Sequence, residues 1–190
     1  MRRAIDLLKE DRLRLSSSDN LTELKADIVR ASYIEGDFVL TGGIHRHYYF
    51  DKYLFETRPA ILRRLARLLG TLVPRDTDRL AAPALGAVAL GTAISLDLGL
   101  PMVIVRVTAD PESTKTVEGE LYQGESVTLI EDVVVTGTRA MAAVDRIRDA
   151  GAKTTDIVAV IDRAEGAAER FTGASISYKH LFTPGSLGIR

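Results

Sequence analysis

Three strongly aliphatic runs in the second half of the chain constrain the fold more than any other feature. They are MVIV at residues 102–105, SVTLIEDVVV at 126–135 and DIVAVI at 156–161. Strands that are apolar along their whole length are typical of parallel sheets covered by helices on both faces. Helix-like segments separate these runs, so the alternation predicts an α/β fold with a mainly parallel sheet flanked by helices.

The first third of the chain has a different pattern. Helical periodicity over residues 1–14 and 21–32 is interrupted by SSSDN. Residues 37–55 then alternate aromatic and polar side chains around a Gly-Gly pair, which predicts a β-hairpin. We expect residues 1–57 to form a small N-terminal hood and residues 58–190 to form the α/β core of a single domain.

A helix is predicted to connect the hood to the core. Thr57 is its expected N-cap, and Pro59 falls in its first turn, where a missing N–H costs nothing. Its leucines share one face. Arg63, Arg64 and Arg67 lie opposite them and are expected to form a solvated face.

Composition excludes several functional classes. The chain has 190 residues, a net charge of −1 and no cysteine. Balanced charge gives no sign of a nucleic-acid partner, and no basic helix-turn-helix is evident. No apolar run is long enough to span a bilayer, and the N-terminus lacks the apolar stretch of a secretory signal. We therefore expect a cytoplasmic protein with no membrane or nucleic-acid partner.

Glu131 and Asp132 interrupt the aliphatic run at 126–135 and call for a chemical explanation. In a parallel sheet, ligands bind at the carboxyl ends of the strands, and this pair lies just before such an end. Capping or a salt bridge is the alternative role for an acidic pair. The aliphatic residues on both sides and the Thr-Gly turn that follows favour a ligand site instead.

The sequence TGTR at 136–139 opens the next predicted helix. Thr136 and Thr138 offer hydroxyl groups, Gly137 allows close backbone approach, and a helix N-terminus presents N–H groups to an anion. This combination suits a phosphate monoester. The carboxylates of Glu131 and Asp132 would then face the sugar hydroxyls of the same ligand, directly or through Mg2+.

The stretch VTLIEDVVVTGTR at 127–139 resembles the phosphoribosyl-diphosphate (PRPP) binding motif of type I phosphoribosyltransferases. In that motif a hydrophobic run is followed by two acidic residues, two hydrophobic residues, a variable position and Thr-Gly. The resemblance implies the type I phosphoribosyltransferase fold and assigns the ribose hydroxyls to Glu131 and Asp132. It assigns the 5-phosphate to Val135, Thr136, Gly137, Thr138 and Arg139.

Two further stretches resemble orotate phosphoribosyltransferases in particular. FVLTGGIHRHYYFD at 38–51 is similar to that family's hood segment, in which Tyr49 and Phe50 fall where the base stacks. VIDRAEG at 160–166 is similar to the strand end whose arginine, here Arg163, pairs with the orotate carboxylate. Val135 also falls near the base. Hood packing for the aromatic residues and a surface role for Arg163 are the alternatives.

The diphosphate is assigned by the same resemblance to two segments. AAPALGAV at 81–88 falls where the family has its diphosphate-binding loop, with Ala84, Leu85 and Gly86 offering backbone amides. A simple strand-to-helix turn is the alternative. The family's catalytic loop, Arg-Lys-x-x-Lys-x-His-Gly, corresponds here to RVTADPESTKTVEG at 106–119.

That loop departs from the family pattern. Arg106 matches the first arginine, Val107 replaces the first lysine, Asp110 and Pro111 lie near the second, and the segment has no histidine. Lys115 is expected to substitute from a shifted position, which makes Arg106 and Lys115 catalytic candidates beside Glu131 and Asp132.

The hood departs from the pattern as well. Thr41 and Val135 stand where the family often has lysine and threonine. His45, Arg46 and His47 are additions whose alternative roles are extra positive charge or a solvated turn.

The resemblance implies a homodimeric enzyme that converts orotate and PRPP to orotidine 5′-phosphate and diphosphate in pyrimidine biosynthesis. Mg2+ is the expected cofactor, held through PRPP and by Asp132 rather than by a dedicated protein site. Two alternatives stay open: a phosphoribosyltransferase for a purine or another base, and a non-catalytic PRPP sensor.

Overall fold

The computed structural model describes residues 21–40, 43–108 and 115–189. The chain divides into two compact units, the first ending at Arg64 and the second beginning at Leu65. The boundary falls inside one helix, a few residues after the boundary expected between hood and core. The helix predicted over residues 1–14 and the position of Thr41 lie outside the described residues.

Seven helices and eight strands occur in the described parts of the chain. The helices are α1 (Leu21–Ser32), α2 (Lys52–Glu56), α3 (Pro59–Gly70), α4 (Val88–Leu98), α5 (Thr138–Asp149), α6 (Ala167–Gly173) and α7 (Pro184–Leu187). The strands are β1 (Tyr33–Leu40), β2 (Ile44–Phe50), β3 (Arg79–Pro83), β4 (Met102–Val105), β5 (Val117–Glu118), β6 (Ser126–Val134), β7 (Lys153–Asp162) and β8 (Ser177–Phe182).

The first unit contains the predicted hairpin, formed by β1 and β2 as an antiparallel pair. Its end differs from the prediction because Lys52–Glu56 is helical. Asp51 begins that helix by accepting a hydrogen bond from the Tyr53 N–H at 3.0 Å. His45, Arg46 and His47 lie on β2 and not in a turn, and the side chains of His45 and His47 are exposed. His47 is exposed, and its Nδ1 lies 2.9 Å from Asp37 Oδ1.

Two predictions for the connecting helix are wrong. Thr57 ends α2, with its hydroxyl donating to the Tyr53 carbonyl at 2.7 Å, and α3 begins at Pro59. Arg64, expected on a solvated face, is buried and donates to Asp27 Oδ2 at 3.0 Å. A partner 37 residues upstream explains its burial, and helical periodicity alone gives no sign of such a pair.

The second unit is built on a six-stranded sheet with the order β5-β4-β3-β6-β7-β8. Five strands run parallel, and only β5 is antiparallel to its neighbour β4. The mainly parallel sheet flanked by helices is therefore confirmed. From β3 the chain passes to β4 on one side and to β6 on the other, so the topological switch point lies between β3 and β6.

Helices cover both faces of this sheet. On one face the inward residues of α5 and α6 pack on the sheet around Leu129, Ile157 and Phe171. On the other face α4 approaches β3 very closely: a Cβ added at Gly91 would lie 2.8 Å from the Ala82 Cβ. Among the described residues, no helix combines the length and apolar character needed to cross a bilayer.

A mostly buried ion pair ties the amino end of β3 to the segment before β6. Arg79 donates from Nε and Nη2 to the two carboxylate oxygens of Glu125, both at 2.8 Å. The hydrogen bond to Glu125 raises the pKa of Arg79, and the same bond lowers the pKa of Glu125. The pair thus fixes the start of the two strands that separate at the switch point.

Arg79→Met is expected to lower the free energy of unfolding by about 3 kcal/mol, because it leaves a mostly buried carboxylate without its cation. Urea denaturation at pH 7 measures this loss. Arg75→Met, at an exposed position, is the matched control and should change little.

Acid should remove the difference between Arg79→Met and the wild type. Because the pKa of Glu125 is depressed in the folded state, the ion pair makes its full contribution to the free energy of unfolding above the ordinary glutamate pKa of about 4.3. That contribution is lost as the pH falls below this value. Equal stability of the two proteins at pH 7 would contradict the assigned role.

Candidate functional site

The acidic pair lies where β6 loses one of its neighbours. The register of β3 and β6 ends at Ala81 opposite Leu129, whereas β6 stays paired with β7 as far as Val134. After Leu129, the last residue of β6 that β3 covers, come Ile130 and then Glu131 and Asp132. They therefore occupy the edge of β6 that faces the switch point, which is where open α/β sheets bind ligands.

Both acidic side chains are largely enclosed, with 7% of Glu131 and 1% of Asp132 exposed. Asp132 Oδ1 accepts a hydrogen bond from the Val133 N–H. Burial raises the pKa of Tyr178, and the negative charges of Asp162 and Glu131 add to that effect. Glu131 is therefore close enough to Tyr178 to act on it electrostatically.

The Thr-Gly turn joins β6 to α5 in the conformation expected of an anion site. Gly137 has a φ of +74° and stands immediately before the first residue of α5. The hydroxyl oxygens of Thr136 and Thr138 lie 3.0 Å apart. Since the first turn of a helix offers N–H groups without intrahelical acceptors, hydroxyls and amides converge at this turn.

Side chains from α6 fix the turn from behind. A Cβ added at Gly137 would lie 2.8 Å from Cζ of Phe171, which is fully buried. Arg170 Nε donates to the Thr136 carbonyl at 2.8 Å. Both the positive φ and the aromatic ring thus require glycine at this position.

The loop after β3 lies across the switch point from that turn, and one side chain connects the two. Arg139 Nη2 donates to the Ala84 carbonyl at 3.2 Å. The Ala84 N–H is held in turn by the Val105 carbonyl at 2.8 Å, and the Ala84–Leu85 peptide bond is cis. Leu85 is 72% exposed. The structure therefore brings together Ala84, predicted for the diphosphate, and Arg139, predicted for the 5-phosphate.

Arg106 and Lys115 converge at the end of β4, and a third residue joins them. Arg106 Nε lies 2.9 Å from Glu118 Oε1, and Lys115 Nζ lies 3.3 Å from Glu118 Oε2. The Arg106 N–H also donates to the Thr116 carbonyl at 2.8 Å, which closes the β4–β5 hairpin. The two predicted catalytic cations thus flank residues 107–114 and meet at one carboxylate.

Comparison with known proteins agrees with this geometry. The phosphoribosyl transferase domain pattern matches residues 55–179. The orotate phosphoribosyltransferase of Halobacterium salinarum is 38% identical over 176 residues, which are 91% of this chain and 98% of that protein. The chain belongs to the orotate phosphoribosyltransferase family.

Solved structures show the same relationship. A Mycobacterium tuberculosis orotate phosphoribosyltransferase crystallised with PRPP has a TM-score of 0.77 and 28% identity, covering 90% of this chain and 100% of that one. The UMP synthase of Leishmania donovani has a TM-score of 0.77 and 27% identity, covering 89% of this chain. The chain spans only 38% of that longer protein. The type I phosphoribosyltransferase fold is therefore confirmed.

The residues that the family assigns to the base lie in different units. Tyr49 and Phe50 are on β2 in the first unit, where Tyr49 is 41% exposed and its ring centroid lies 5.6 Å from that of Phe38. Arg163 and Val135 are in the second unit. The Arg163 N–H donates to the Val134 carbonyl at 2.9 Å, and its guanidinium lies 3.2 Å from Glu165. The orotate-binding roles of these residues remain predictions.

Several residues of the site were not found from the sequence. Glu118 has a local signal, because Lys115 precedes it by three residues and could have been considered its partner. Arg170 and Phe171 have none, since they contact the Thr-Gly turn from more than 30 positions downstream. Only in the folded chain does α6 lie behind that turn, so the sequence alone does not reveal these contacts.

Gly137→Ala is expected to lower the free energy of unfolding by about 3 kcal/mol, which combines a left-handed backbone with a clash against the Phe171 ring. Gly166 provides a matched control, since it also precedes a helix with positive φ but has open space where a Cβ would be. Gly166→Ala should cost about 1 kcal/mol, from the backbone alone. Chemical denaturation measures both, and equal losses would show that the Phe171 contact does not matter.

Proposed function

We propose that this chain transfers the phosphoribosyl group of PRPP to orotate, giving orotidine 5′-phosphate and diphosphate. The hydrogen bond between Arg139 and the Ala84 carbonyl carries this proposal, because it links a phosphate-type turn to the loop assigned to the diphosphate. PRPP carries a phosphate at one end of a ribose and a diphosphate at the other. A site with two anion-binding loops and a carboxylate pair beside them matches that distribution of charge and hydroxyl groups.

The 5-phosphate binds at the Thr-Gly turn. Thr136 and Thr138 supply hydroxyl groups, and the backbone from Val135 to Arg139 supplies amides at the start of α5. Because Phe171 and Arg170 hold this turn in place, its donors need no rearrangement when the phosphate arrives, which favours binding of the ribose in one orientation.

Glu131 and Asp132 hold the ribose. Their carboxylates accept hydrogen bonds from its hydroxyl groups, and their charge stabilises the positive charge that develops on the ring as the bond to diphosphate breaks. A ring nitrogen of orotate gives up its proton to solvent and bonds to the anomeric carbon as the carbon–oxygen bond to diphosphate breaks, and diphosphate leaves with the electrons of that bond. This mechanism requires no nucleophilic side chain.

Diphosphate departs towards Ala84, Leu85 and Gly86 and towards the cations Arg106 and Lys115. Backbone amides of the loop and the two side chains take up the charge of the leaving group. Lys115 substitutes for the family's loop lysines. Arg163 pairs with the orotate carboxylate, for which a planar guanidinium is well shaped, and the resemblance assigns stacking of the base to Tyr49 and Phe50.

Mg2+ is the proposed cofactor, and a single carboxylate together with the phosphates of PRPP would suit it. Among the described residues no group of three or more His, Cys, Asp or Glu side chains could hold a metal ion. Magnesium is usually bound by one or two carboxylates together with substrate phosphates, so Asp132 and PRPP would hold it. When bound, it supplies positive charge that offsets the negative charge of the diphosphate. The homodimer and the cytoplasmic location remain predictions.

One assay and one titration test the proposed function. Orotate consumption is followed with PRPP and Mg2+, and PRPP binding is measured by calorimetry in the presence of orotate, uracil or hypoxanthine. Turnover of orotate supports the proposal. Turnover of hypoxanthine alone would identify a purine enzyme, and PRPP binding without turnover of any base would identify a sensor, which the missing loop lysine and histidine would then explain.

Asp132→Asn is expected to lower kcat/KM for PRPP by about 100-fold, because it keeps the shape of the side chain and removes the charge beside the ribose. Glu131→Gln should act in the same direction. Steady-state kinetics measure both variants. Asp149→Asn, an exposed carboxylate at the far end of α5, is the control for charge, and an equal loss in that variant would exclude a local role for Asp132.

A further inference from the structure

The carboxylate of Glu118 occupies the position where an anionic ligand would meet the two loop cations. Each of its oxygens takes one partner: Oε1 faces Arg106 Nε at 2.9 Å, and Oε2 faces Lys115 Nζ at 3.3 Å. Glu118 lies on β5, whose backbone is paired with β4 next to Arg106. One strand therefore presents the carboxylate, and the two ends of the catalytic segment present the cations.

The carboxylate of Glu118 meets both cations. Hydrogen bonds from Lys115 and Arg106 lower the pKa of Glu118, so it is ionised at neutral pH. An anion that binds the same two cations therefore competes with the charge of Glu118.

We propose that Glu118 is a positioning residue that holds Arg106 and Lys115 together as an internal counter-anion and releases them to the diphosphate of PRPP. This inference rests on the proposed function. Glu118 gathers the two cations before the ligand arrives, and it takes them back when diphosphate leaves. The same residue therefore limits how tightly diphosphate is held.

The exchange is physically reasonable because the internal pairs are weak. The side chains of Glu118, Arg106 and Lys115 are 32%, 41% and 60% exposed, and exposed ion pairs contribute little. A diphosphate has several negative charges and many acceptor oxygens, so it can engage both cations more strongly than one carboxylate.

Glu118→Gln tests the proposal through binding of inorganic diphosphate, measured by calorimetry in Mg2+-free buffer. The variant keeps the side-chain shape and removes the competing charge. Diphosphate should bind about three- to fivefold more tightly, the scale of an exposed ion pair. The gain should shrink at high salt, which screens exposed charges.

Glu120→Gln is the matched control. Glu120 lies two residues away and is exposed, and its Oε2 accepts a hydrogen bond from the Tyr122 hydroxyl at 3.0 Å. Both substitutions remove one negative charge from the same segment, so a local effect of Glu118 must exceed that of Glu120→Gln. The gain should also vanish when Glu118→Gln is added to a chain that already carries Arg106→Gln and Lys115→Gln.

Weaker or unchanged diphosphate binding in Glu118→Gln would overturn the proposal, and so would an equal gain in Glu120→Gln. Glu118→Gln is also expected to leave the free energy of unfolding in urea unchanged. If the ion pairs of Glu118 were purely structural, their loss would lower that free energy. Failure of the proposed function shows separately, as absence of orotate turnover by the wild-type chain. Diphosphate titration does not depend on that turnover.

Discussion

The pairing between β3 and β6 ends at Leu129 on the β6 side, and the organisation of the site depends on where that pairing ends.

 

Up to Leu129, β6 is held by neighbours on both sides, and its side chains are those of a buried strand. Beyond it, Glu131 and Asp132 are tolerated because the edge that β3 leaves uncovered can meet a polar ligand instead of an apolar neighbour. The same divergence places the loop after β3 and the turn after β6 on opposite sides of one gap. Sheet topology, rather than any single side chain, therefore creates a place for a ligand that is charged at both ends.

Helix α6 has a supporting role that its short length does not suggest. Phe171 fills the space behind Gly137, and Arg170 holds the Thr136 carbonyl. Packing in the interior of the second unit thus fixes the conformation of a surface turn. Rigid support of this kind lets backbone amides bind an anion without losing conformational freedom on binding.

Much of this arrangement could be predicted from the sequence, and the failures have physical causes. The aliphatic strands and the Thr-Gly turn depend on local patterns, so the parallel sheet and the start of α5 were correctly placed. Arg64 was not, because its burial depends on Asp27, a partner from another helix. Glu118 was missed because its pairing with Arg106 depends on the alignment of β4 with β5, although its spacing from Lys115 gave a local signal. The base-binding roles of Tyr49 and Arg163 rest on resemblance and stay predictions.

The contact between Arg139 and the Ala84 carbonyl has a thermodynamic consequence. An anion at the Thr-Gly turn that attracts the Arg139 guanidinium weakens the hydrogen bond between Arg139 and the loop after β3. An anion bound at that loop in turn changes how strongly the guanidinium is available to the Thr-Gly turn. Linkage requires the two effects to be equal in free energy. The two ends of one substrate would therefore bind cooperatively or anticooperatively through a single arginine, even when they are presented as separate fragments.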